Sequence, residues 1–389
     1  MHTTIRPAGI SPARHRQQIL SAQSFIRNQR CLQRDPTSDR MREDRSEHMV
    51  DSPAQTLLSF VGQKRRILIV CHNNPDPDTI ASAHALRSIF YQKLRRKATI
   101  TYGGVIGRVE NRELTRKLKT EMVPVKDIVF KKYSVICLVD TQPRTGNNGL
   151  PREFLPHVVI DHHPLKNTTR KCPFHDVRPH YGSTSTIMTE YFRELDLPMD
   201  RMLATALFYG LKTDTNGLLR HAVKADLEAF NYLFPKIAPK TLSSIENPMI
   251  PKSHYLKFAD AINKSVQYKD VIISQMGKVN NPDIVAEMAD FLLMMENIRW
   301  TLCTGEFKDE LVVSVRTSRR GWWAGKVAIK ILRGLGTGGG HEKAAGGRIN
   351  IAGLADGTLQ EKKARLAERF LKALGMDDEK GRPMVTNSA

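Results

Sequence analysis

The sequence predicts an α/β fold in which a mainly parallel sheet flanked by helices is followed by a second, smaller α/β domain. Short β-branched runs alternate with longer segments of helical spacing from Arg65 onward, and this alternation is typical of βαβ units. Strand-like and helix-like segments resume after a Pro-punctuated stretch that ends near Lys269, which indicates a separate domain.

The elements of the first domain follow one another in a regular order. RRILIVCH is a buried-type strand, and a helix of apolar periodicity begins at Thr79. Further strands are expected at ATITYGG, YSVICLVD and HVVIDHH, and helices at GSTSTIMTEYFREL and RMLATALFYGLKTD. Continuous apolar strands are typical of parallel sheets with helices on both faces. We assign residues 51–235 to this domain.

The second domain is predicted at residues 271–375, after a helical linker at 236–270. DVIISQMG and LVVSVRTS are strand-like, PDIVAEMADFLLMM is helix-like, and GWWAGKVAIKILRGL leads as a helix into the glycine-rich GTGGGHEKAAGGRI. Residues 376–389 are expected to form a tail. Residues 1–50 are rich in Arg, Gln and Ser with little apolar periodicity, and we expect a disordered basic leader there.

Composition is that of a soluble globular protein, with 40% hydrophobic and 26% charged residues. No apolar run approaches the roughly 18 residues of a membrane span, and no secretory signal is recognisable, so we expect a cytoplasmic protein without a membrane partner. The formal net charge of +20 favours anionic partners, although a solvated basic surface explains it equally well. Five cysteines without a CxxC pair favour buried free thiols over zinc or disulfide frameworks.

Acids and histidines gather where predicted elements end. The first strand runs into HNNPDPD, the third ends in an aspartate, the fourth ends in DHH, and the second of the two following helices ends in another aspartate. Any one aspartate could be a helix cap or turn residue. Together they would crowd like charges at the sheet edge where open α/β folds bind ligands. The residues concerned are His72, Asp76, Asp78, Asp140, Asp161, His162, His163 and Asp214.

A pair of divalent cations would relieve this crowding. Oxygen ligands with a few imidazoles suit Mn²⁺, and also Mg²⁺, Co²⁺ or Fe²⁺, better than they suit structural zinc. Two such cations held close together promote in-line displacement at phosphorus. The residues therefore predict hydrolysis of phosphate esters or anhydrides.

These motifs resemble those of the DHH phosphoesterase superfamily. HNNPDPD, VDTQPRTGN, DHHP and LKTDTNG follow the order of its motifs I to IV, and GTGGGHEKAAGG resembles the substrate-binding loop of its DHHA1 companion domain. Within the superfamily the chain is similar to bifunctional oligoribonuclease and phosphoadenosine-phosphate phosphatases, with RecJ-type exonucleases as larger relatives. Asn73 and Asn74 stand where small or varied residues would serve equally, and all ligand positions remain filled.

The resemblance implies two metal subsites that share one carboxylate. One ion would be held by His72, Asp76 and Asp140. The other would be held by Asp78, Asp140, His162 and Asp214. The bridging Asp140 would be catalytic together with His163, which would face the substrate phosphate or assist the leaving group. Asp161 would orient a histidine ring by accepting its other N–H.

Substrate contacts are expected from both domains. Arg144 and Arg316 are candidate phosphate ligands, with a surface arginine and a strand-edge charge as the alternatives. Trp322 or Trp323 could stack on a base, although packing in the core is the commoner fate of such residues. The glycine-rich segment would let backbone N–H groups approach an anion, through Gly338, Gly339, Gly340 and His341.

We therefore predict a manganese-dependent phosphoesterase that shortens single-stranded RNA or DNA from an end, hydrolyses small nucleotides such as phosphoadenosine phosphate, or does both. A second hypothesis keeps the site and changes the substrate to cyclic dinucleotides, pyrophosphate or polyphosphate. A third, of another class, is a non-catalytic module that binds nucleotides or nucleic acid. Family resemblance also allows a homodimer.

Overall fold

The computed structural model describes residues 52–62, 64–119 and 121–385, and its first sheet contains six strands. Their bounds are β1 Ile67–Val70, β2 Ala98–Tyr102, β3 Met122–Pro124, β4 Val135–Val139, β5 Val158–Asp161 and β6 Phe174–Val177. The order across the sheet is β3-β2-β1-β4-β5-β6, and every neighbouring pair is parallel. The carboxyl ends of the strands therefore share one edge, and β1, β4 and β5 lie side by side at its centre.

The α-helices of this domain pack on one face of the sheet. Their bounds are α1 Pro53–Val61, α2 Pro77–Leu94, α3 Val109–Leu118, α4 Thr184–Glu194, α5 Arg201–Asp214 and α6 Lys224–Leu233. Ile67 and Ile69 of β1 are buried in the same core as these helices. The alternate residues Leu68 and Val70 belong to a smaller core with Phe130, at the start of a short 3₁₀ turn. We expected α-helices on both faces, but within the described residues turns and loops cover the second face.

A second, mixed sheet follows two connecting helices, α7 Pro239–Glu246 and α8 Lys252–Asn263. Its strands are β7 Val266–Tyr268, β8 Val271–Lys278, β9 Trp300–Phe307, β10 Glu310–Thr317, β11 Thr337–Gly340, β12 Ala344–Asn350 and β13 Arg382–Pro383. They lie in the order β11-β12-β10-β9-β8-β7-β13. Among the neighbouring strand pairs in this sheet, β8–β9 is parallel and the others are antiparallel. The glycine-rich stretch, which we expected to be a loop, forms the hairpin β11–β12.

Together with α8, three further helices cover the two faces of this sheet. Their bounds are α9 Asp283–Leu293, α10 Ala324–Leu332 and α11 Asp356–Ala373. Ile272 and Cys303 are buried with α9, whereas Ile273 and Leu302 are buried with α10 and α11. The predicted fold class, a mainly parallel sheet with flanking helices followed by a smaller α/β domain, is confirmed.

Some expectations concern particular segments of the chain. The linker predicted at 236–270 contains α7 and α8 but also β7, and the tail predicted after residue 375 contributes β13 to the sheet. The leader predicted at 1–50 lies outside the described residues. Cys71, Cys137, Cys172 and Cys303 are free, buried thiols, as expected. Among the helices of the described residues, none combines the length and apolarity needed to cross a membrane.

Candidate metal centre

The carboxyl edge of the first sheet brings the predicted ligand residues together. Three overlapping groups of ligand-type side chains lie there, and within each group the ligand atoms are at most 4.8 Å apart. The groups are His72 with Asp76 and Asp140, Asp78 with His162 and Asp214, and Asp140 with His162 and His163. Asp140 and His162 each belong to two groups, so the three form one continuous site.

Local backbone structure delivers the aspartates. Asp76 is the N-cap of α2, and its Oδ1 accepts a hydrogen bond from the Thr79 backbone N–H at 3.1 Å. The helix therefore begins at Pro77, two residues before the start expected at Thr79. Asp140 follows β4 directly with φ of 58°, a left-handed conformation that is uncommon outside glycine. Asp214 is the last residue of α5.

His72 faces two carboxylates through Nε2. Its Nε2 lies 3.5 Å from Asp76 Oδ1 and 3.5 Å from Asp140 Oδ2. Its Nδ1 lies 2.9 Å from the carbonyl oxygen of Asn73, which can only accept a hydrogen bond, so Nδ1 is the donor. In the neutral ring, Nε2 is therefore left with a lone pair toward the two carboxylates.

His162 has the same arrangement on the other side of Asp140. Its Nδ1 donates to the carbonyl oxygen of Tyr181 at 3.2 Å. Its Nε2 lies 3.5 Å from Asp140 Oδ1 and 3.3 Å from Asp214 Oδ2. Within the described residues this buried atom makes no hydrogen bond. An unpartnered imidazole nitrogen that points at carboxylate oxygens fits a shared metal ion better than direct pairing.

Electrostatics of the protein groups also favour a bound cation. Burial and the neighbouring Asp214 carboxylate raise the pKa of Asp78 to about 7. Burial, Asp78 and Asp76 raise the pKa of Asp140 well above its usual range. Burial opposes the charging of His72, but Asp76 and Asp140 raise its pKa to about 10. These shifts all report an excess of buried negative charge, which divalent cations would neutralise.

The N-terminus of α4 supports two of the aspartates, and sequence reasoning missed this contribution. Asp78 accepts hydrogen bonds at 2.7 Å from the backbone N–H groups of both Thr184 and Ser185. The Thr184 hydroxyl donates to Asp140 Oδ1 at 2.9 Å. All of these residues are buried. The GSTS segment that begins the helix therefore fixes the orientation of two candidate ligands.

His163 is held by Asp161 and not by a backbone group. Its Nδ1 lies 2.8 Å from Asp161 Oδ1 and 3.8 Å from Asp140 Oδ1. Asp161 Oδ2 accepts a hydrogen bond from Gln142 Nε2 at 2.6 Å. These contacts engage the Nδ1 side of the His163 ring, and 38% of the side chain is exposed.

The second domain reaches the same site through its hairpin. His341 lies in the turn between β11 and β12, and its ring centroid is 6.3 Å from that of His163. Burial and the nearby charges of His163 and Arg220 lower the pKa of His341. Arg220, which sequence reasoning also missed, donates to the backbone carbonyl of Asp214 at 2.8 Å. Both domains thus contribute side chains to one centre.

The remaining predicted substrate residues differ in their surroundings. Arg144 is exposed, with a left-handed φ of 63°. Arg316 is largely buried and donates to the Asp290 carboxylate, and its Nη1 donates to Ser314 Oγ at 2.8 Å. Gly338, Gly339 and Gly340 pair along β12. Their roles in substrate binding remain predictions.

Asn73 and Asn74 have a structural role that the sequence did not suggest. The Asn74 side chain accepts a hydrogen bond from the Val105 backbone N–H at 3.1 Å. A Cβ at Gly103 would lie 1.8 Å from Asn73 Oδ1, so a larger residue there would displace the Asn73 side chain. The two asparagines hold the loop after β2 against the loop that carries His72 and Asp76.

Comparison with known proteins assigns both domains. The family model described as the DHH family N-terminal domain matches residues 66–211, and the DHHA1 domain model matches residues 266–374. The chain belongs to the DHH superfamily. The predicted family is therefore confirmed. The grouped aspartates and histidines lie within the region matched by the DHH model, apart from Asp214, which lies three residues after it.

Relatives of this DHH protein include an uncharacterised protein and two named enzymes. An uncharacterised protein of Methanocaldococcus jannaschii is 37% identical over 314 residues, which cover 80% of this chain and 63% of that protein. The cyclic-di-AMP phosphodiesterase of Listeria monocytogenes is 22% identical over 79% of this chain and 48% of its own length. The manganese-dependent inorganic pyrophosphatase of Bacillus subtilis is 27% identical over 39% of this chain and 48% of its own length. The chain thus spans about half to two thirds of these relatives.

A solved structure supports the fold of the DHH and DHHA1 domains. The exopolyphosphatase-related protein from Bacteroides fragilis matches with a TM-score of 0.62 and 16% sequence identity. The match covers 83% of this chain and 97% of that one. At this identity the likeness concerns the fold alone.

Proposed function

We propose that this chain is a two-metal phosphoesterase that acts on short single-stranded oligonucleotides or small nucleotide phosphates. One observation carries the proposal: His72, Asp76, Asp78, Asp140, His162 and Asp214 converge at the sheet edge, and His341 of the DHHA1 domain faces the same centre. Divalent cations held there would act as Lewis acids on a phosphoryl group and lower the pKa of a water molecule.

The side chains of the protein would orient the reaction. Asp140, which belongs to two of the three ligand groups, would be a ligand common to the two cations. Thr184 would keep the Asp140 carboxylate in place by donating to Oδ1 at 2.9 Å. Asp161 would hold the His163 ring so that Nε2 faces the substrate, where a protonated ring would donate a hydrogen bond to a phosphate oxygen or to the leaving group.

The DHHA1 domain would supply the grip on the substrate. His341 and Arg220 lie beside the centre, and Arg144 and Arg316 are further candidate phosphate contacts. A centre shared between two domains admits mononucleotides, dinucleotides or a strand end more readily than a duplex. This favours phosphatase-like or exonucleolytic hydrolysis.

A single substitution tests the metal mechanism. We expect Asp140→Asn to reduce hydrolysis of a five-nucleotide RNA and of phosphoadenosine phosphate to the background rate, because the shared ligand is lost. Asp196→Asn is the matched control, since Asp196 also has a positive φ but is exposed. Rates would be measured with Mn²⁺. An intact rate in Asp140→Asn would contradict the mechanism, and no turnover of either substrate by the wild type would contradict the substrate assignment.

Cyclic dinucleotides are a second candidate substrate class. The similarity to the cyclic-di-AMP phosphodiesterase covers 79% of this chain, which is too much to be confined to one domain. The similarity to the pyrophosphatase covers only 39%. A panel of cyclic dinucleotide, linear dinucleotide and pyrophosphate under identical conditions separates these alternatives.

Several finer assignments remain proposals. Manganese is proposed as the metal because of the mixed carboxylate and imidazole ligands. We retain the proposed domain limits of 51–235 and 271–375, the cytoplasmic location and the homodimer as predictions. Size-exclusion chromatography with light scattering would test the homodimer directly.

A further inference from the structure

Two adjacent tryptophans in the DHHA1 domain have opposite environments. Trp322 packs edge-on against the buried Trp300, with ring centroids 5.7 Å apart. Trp323 is 50% exposed and forms the N-cap of α10 without a side-chain capping hydrogen bond. The Trp322 ring is therefore accounted for by packing, whereas the Trp323 ring presents an aromatic face to solvent.

One basic side chain lies over the exposed Trp323 ring, and two more are close to it in the sequence. The Lys326 ammonium lies 5.4 Å from the Trp323 ring centroid, and the Arg319 guanidinium lies 4.9 Å from that of Trp322. Residues 318–326 contain three basic residues, the third being Arg320, and no acidic one. Charge complementarity therefore favours an anionic occupant with flat rings.

This segment lies next to the hairpin turn that faces the metal centre. The Ala324 backbone N–H donates to the Glu342 carbonyl at 2.7 Å, and that of Gly325 donates to the His341 carbonyl at 3.0 Å. A Cβ at Gly325 would lie 2.3 Å from the Gly340 carbonyl oxygen, so glycine permits the close approach. Trp323 therefore directly precedes a residue, Ala324, that is hydrogen-bonded to this turn. The His341 ring of the same turn lies 6.3 Å from the His163 ring.

We propose that Arg319, Arg320, Trp323 and Lys326 form a stacking platform for single-stranded nucleic acid, which we call the Trp323 platform. The inference rests on the proposed function and adds to it a site for nucleotides beyond the reacting phosphate. The Trp323 ring stacks on a base, and the arginines and the lysine contact the backbone phosphates. Stacking tolerates any base, so the platform selects strand length and not sequence.

The experiment compares substrates that differ only in length. Binding of a fluorescein-labelled five-nucleotide RNA is measured by anisotropy in Asp140→Asn protein, so that the strand stays intact. We expect Trp323→Ala to weaken this binding about tenfold and Trp323→Phe to retain most of it. In the otherwise wild-type enzyme with Mn²⁺, Trp323→Ala should lower kcat/KM for the five-nucleotide RNA and leave that for a dinucleotide unchanged.

Two further variants test the chemistry of the platform. Tyr255→Ala is the matched control, because Tyr255 is 62% exposed on α8, outside the platform, and it should change neither measurement. Arg319→Ala/Arg320→Ala removes two phosphate contacts and should reduce the slope of log affinity against log salt by about 1.4.

Each outcome separates the platform from the metal mechanism. Unchanged affinity in Trp323→Ala, or equal losses on both substrate lengths, would overturn the platform. If the wild type hydrolyses bis(p-nitrophenyl) phosphate but binds no RNA, the metal proposal stands and the platform falls. If RNA binds in a Trp323-dependent manner but the wild type hydrolyses neither RNA, nor phosphoadenosine phosphate, nor bis(p-nitrophenyl) phosphate, the platform stands and the proposed function falls. If Trp323 instead bound another protein and no RNA, the Trp323 platform would also be overturned.

Discussion

Asp161 is a buried carboxylate whose hydrogen bonds hold residues of the candidate metal centre. Its Oδ1 accepts hydrogen bonds from His163 Nδ1 at 2.8 Å and from the His162 backbone N–H at 2.9 Å. Its Oδ2 accepts from Gln142 at 2.6 Å. Burial alone would raise the pKa of Asp161, but the hydrogen bonds from His163 and Gln142 hold it below the usual range. The carboxylate is therefore ionised at neutral pH and orients the His163 ring.

Substituting this carboxylate should change turnover more than metal binding. In Asp161→Asn the side chain keeps its size but loses the charge that fixes the His163 ring. Partners of this kind typically contribute 10- to 100-fold, so we expect kcat to fall by roughly that factor. Metal affinity, measured by isothermal titration calorimetry on the same variant, should stay within about twofold. A parallel loss of metal affinity would instead identify Asp161 as a ligand.

At this scale the sequence predicted side chains better than their supports. His72, Asp140 and His162 could be proposed as ligands because they follow strands whose ends must share an edge. The Thr184 contact could not, because its backbone N–H reaches Asp78 across 106 residues and a threonine at a helix start is ordinary. The Tyr181 carbonyl that orients His162 is a backbone group, and no side-chain pattern reveals it.

The first turn of α4 is an element that acts as an electrostatic support. Its free N–H groups carry the positive end of the helix dipole, and two of them donate to Asp78. Burial still raises the pKa of Asp78, so the helix reduces the conflict among carboxylates without removing it. A bound cation would neutralise the negative charge that the helix leaves uncompensated.

The hydroxyl of Thr184 can be removed with little change of shape. Thr184→Val keeps the β-branched side chain and the backbone donors but loses the hydrogen bond to Asp140. We expect the midpoint of Mn²⁺ binding to rise about tenfold, because the Asp140 carboxylate would be less well oriented. Thr184→Ser restores the hydroxyl and should return the midpoint close to that of the wild type. Equal weakening by Val and Ser would show that packing, and not the hydroxyl, matters.

The β11–β12 hairpin marks the limit of element prediction. A run of glycines has low strand propensity, so GTGGG suggested a loop, yet it pairs with β12. The reason lies in packing, since a Cβ at Gly338 would lie 2.3 Å from Leu332 Cδ1 of α10. Strands such as YSVICLVD were predictable because burial on both faces leaves a continuous apolar run.

On the scale of the molecule, polar contacts between described residues join the DHH and DHHA1 domains. Arg108 of the DHH domain lies 3.2 Å from Asp290 of α9, and Asn281 donates to the Gly107 carbonyl at 2.6 Å. Asp290 also accepts from Arg316. A predicted substrate residue is thus linked to the domain that holds the metal ligands. Sequence alone could not reveal this link, because each partner is an ordinary surface-type charge.

Metal binding should determine the stability of the molecule and its dependence on pH. The pKa of Asp78 rises from an ordinary value of 3.8 to about 7, and that of Asp140 is also raised. A folded state with raised acid pKa values binds more protons than the unfolded chain, so metal-free stability should fall as pH rises from about 4 through 7. Bound Mn²⁺ should reverse this fall in stability, because the ion binds the ionised form of the carboxylates.

We therefore expect Mn²⁺ to raise the free energy of unfolding at pH 8 by about 2.7 kcal/mol per ion at a hundred times Kd. The increment should vanish at about pH 4, where protons displace the metal. Asp140→Asn should lose most of the increment, yet in EDTA at pH 8 it should be at least as stable as the wild type, because one buried charge is gone. Thermal unfolding of both proteins with Mn²⁺ or EDTA measures all three effects. A variant that is less stable in EDTA but still gains the full Mn²⁺ increment would mean that Asp140 stabilises the fold and holds no metal.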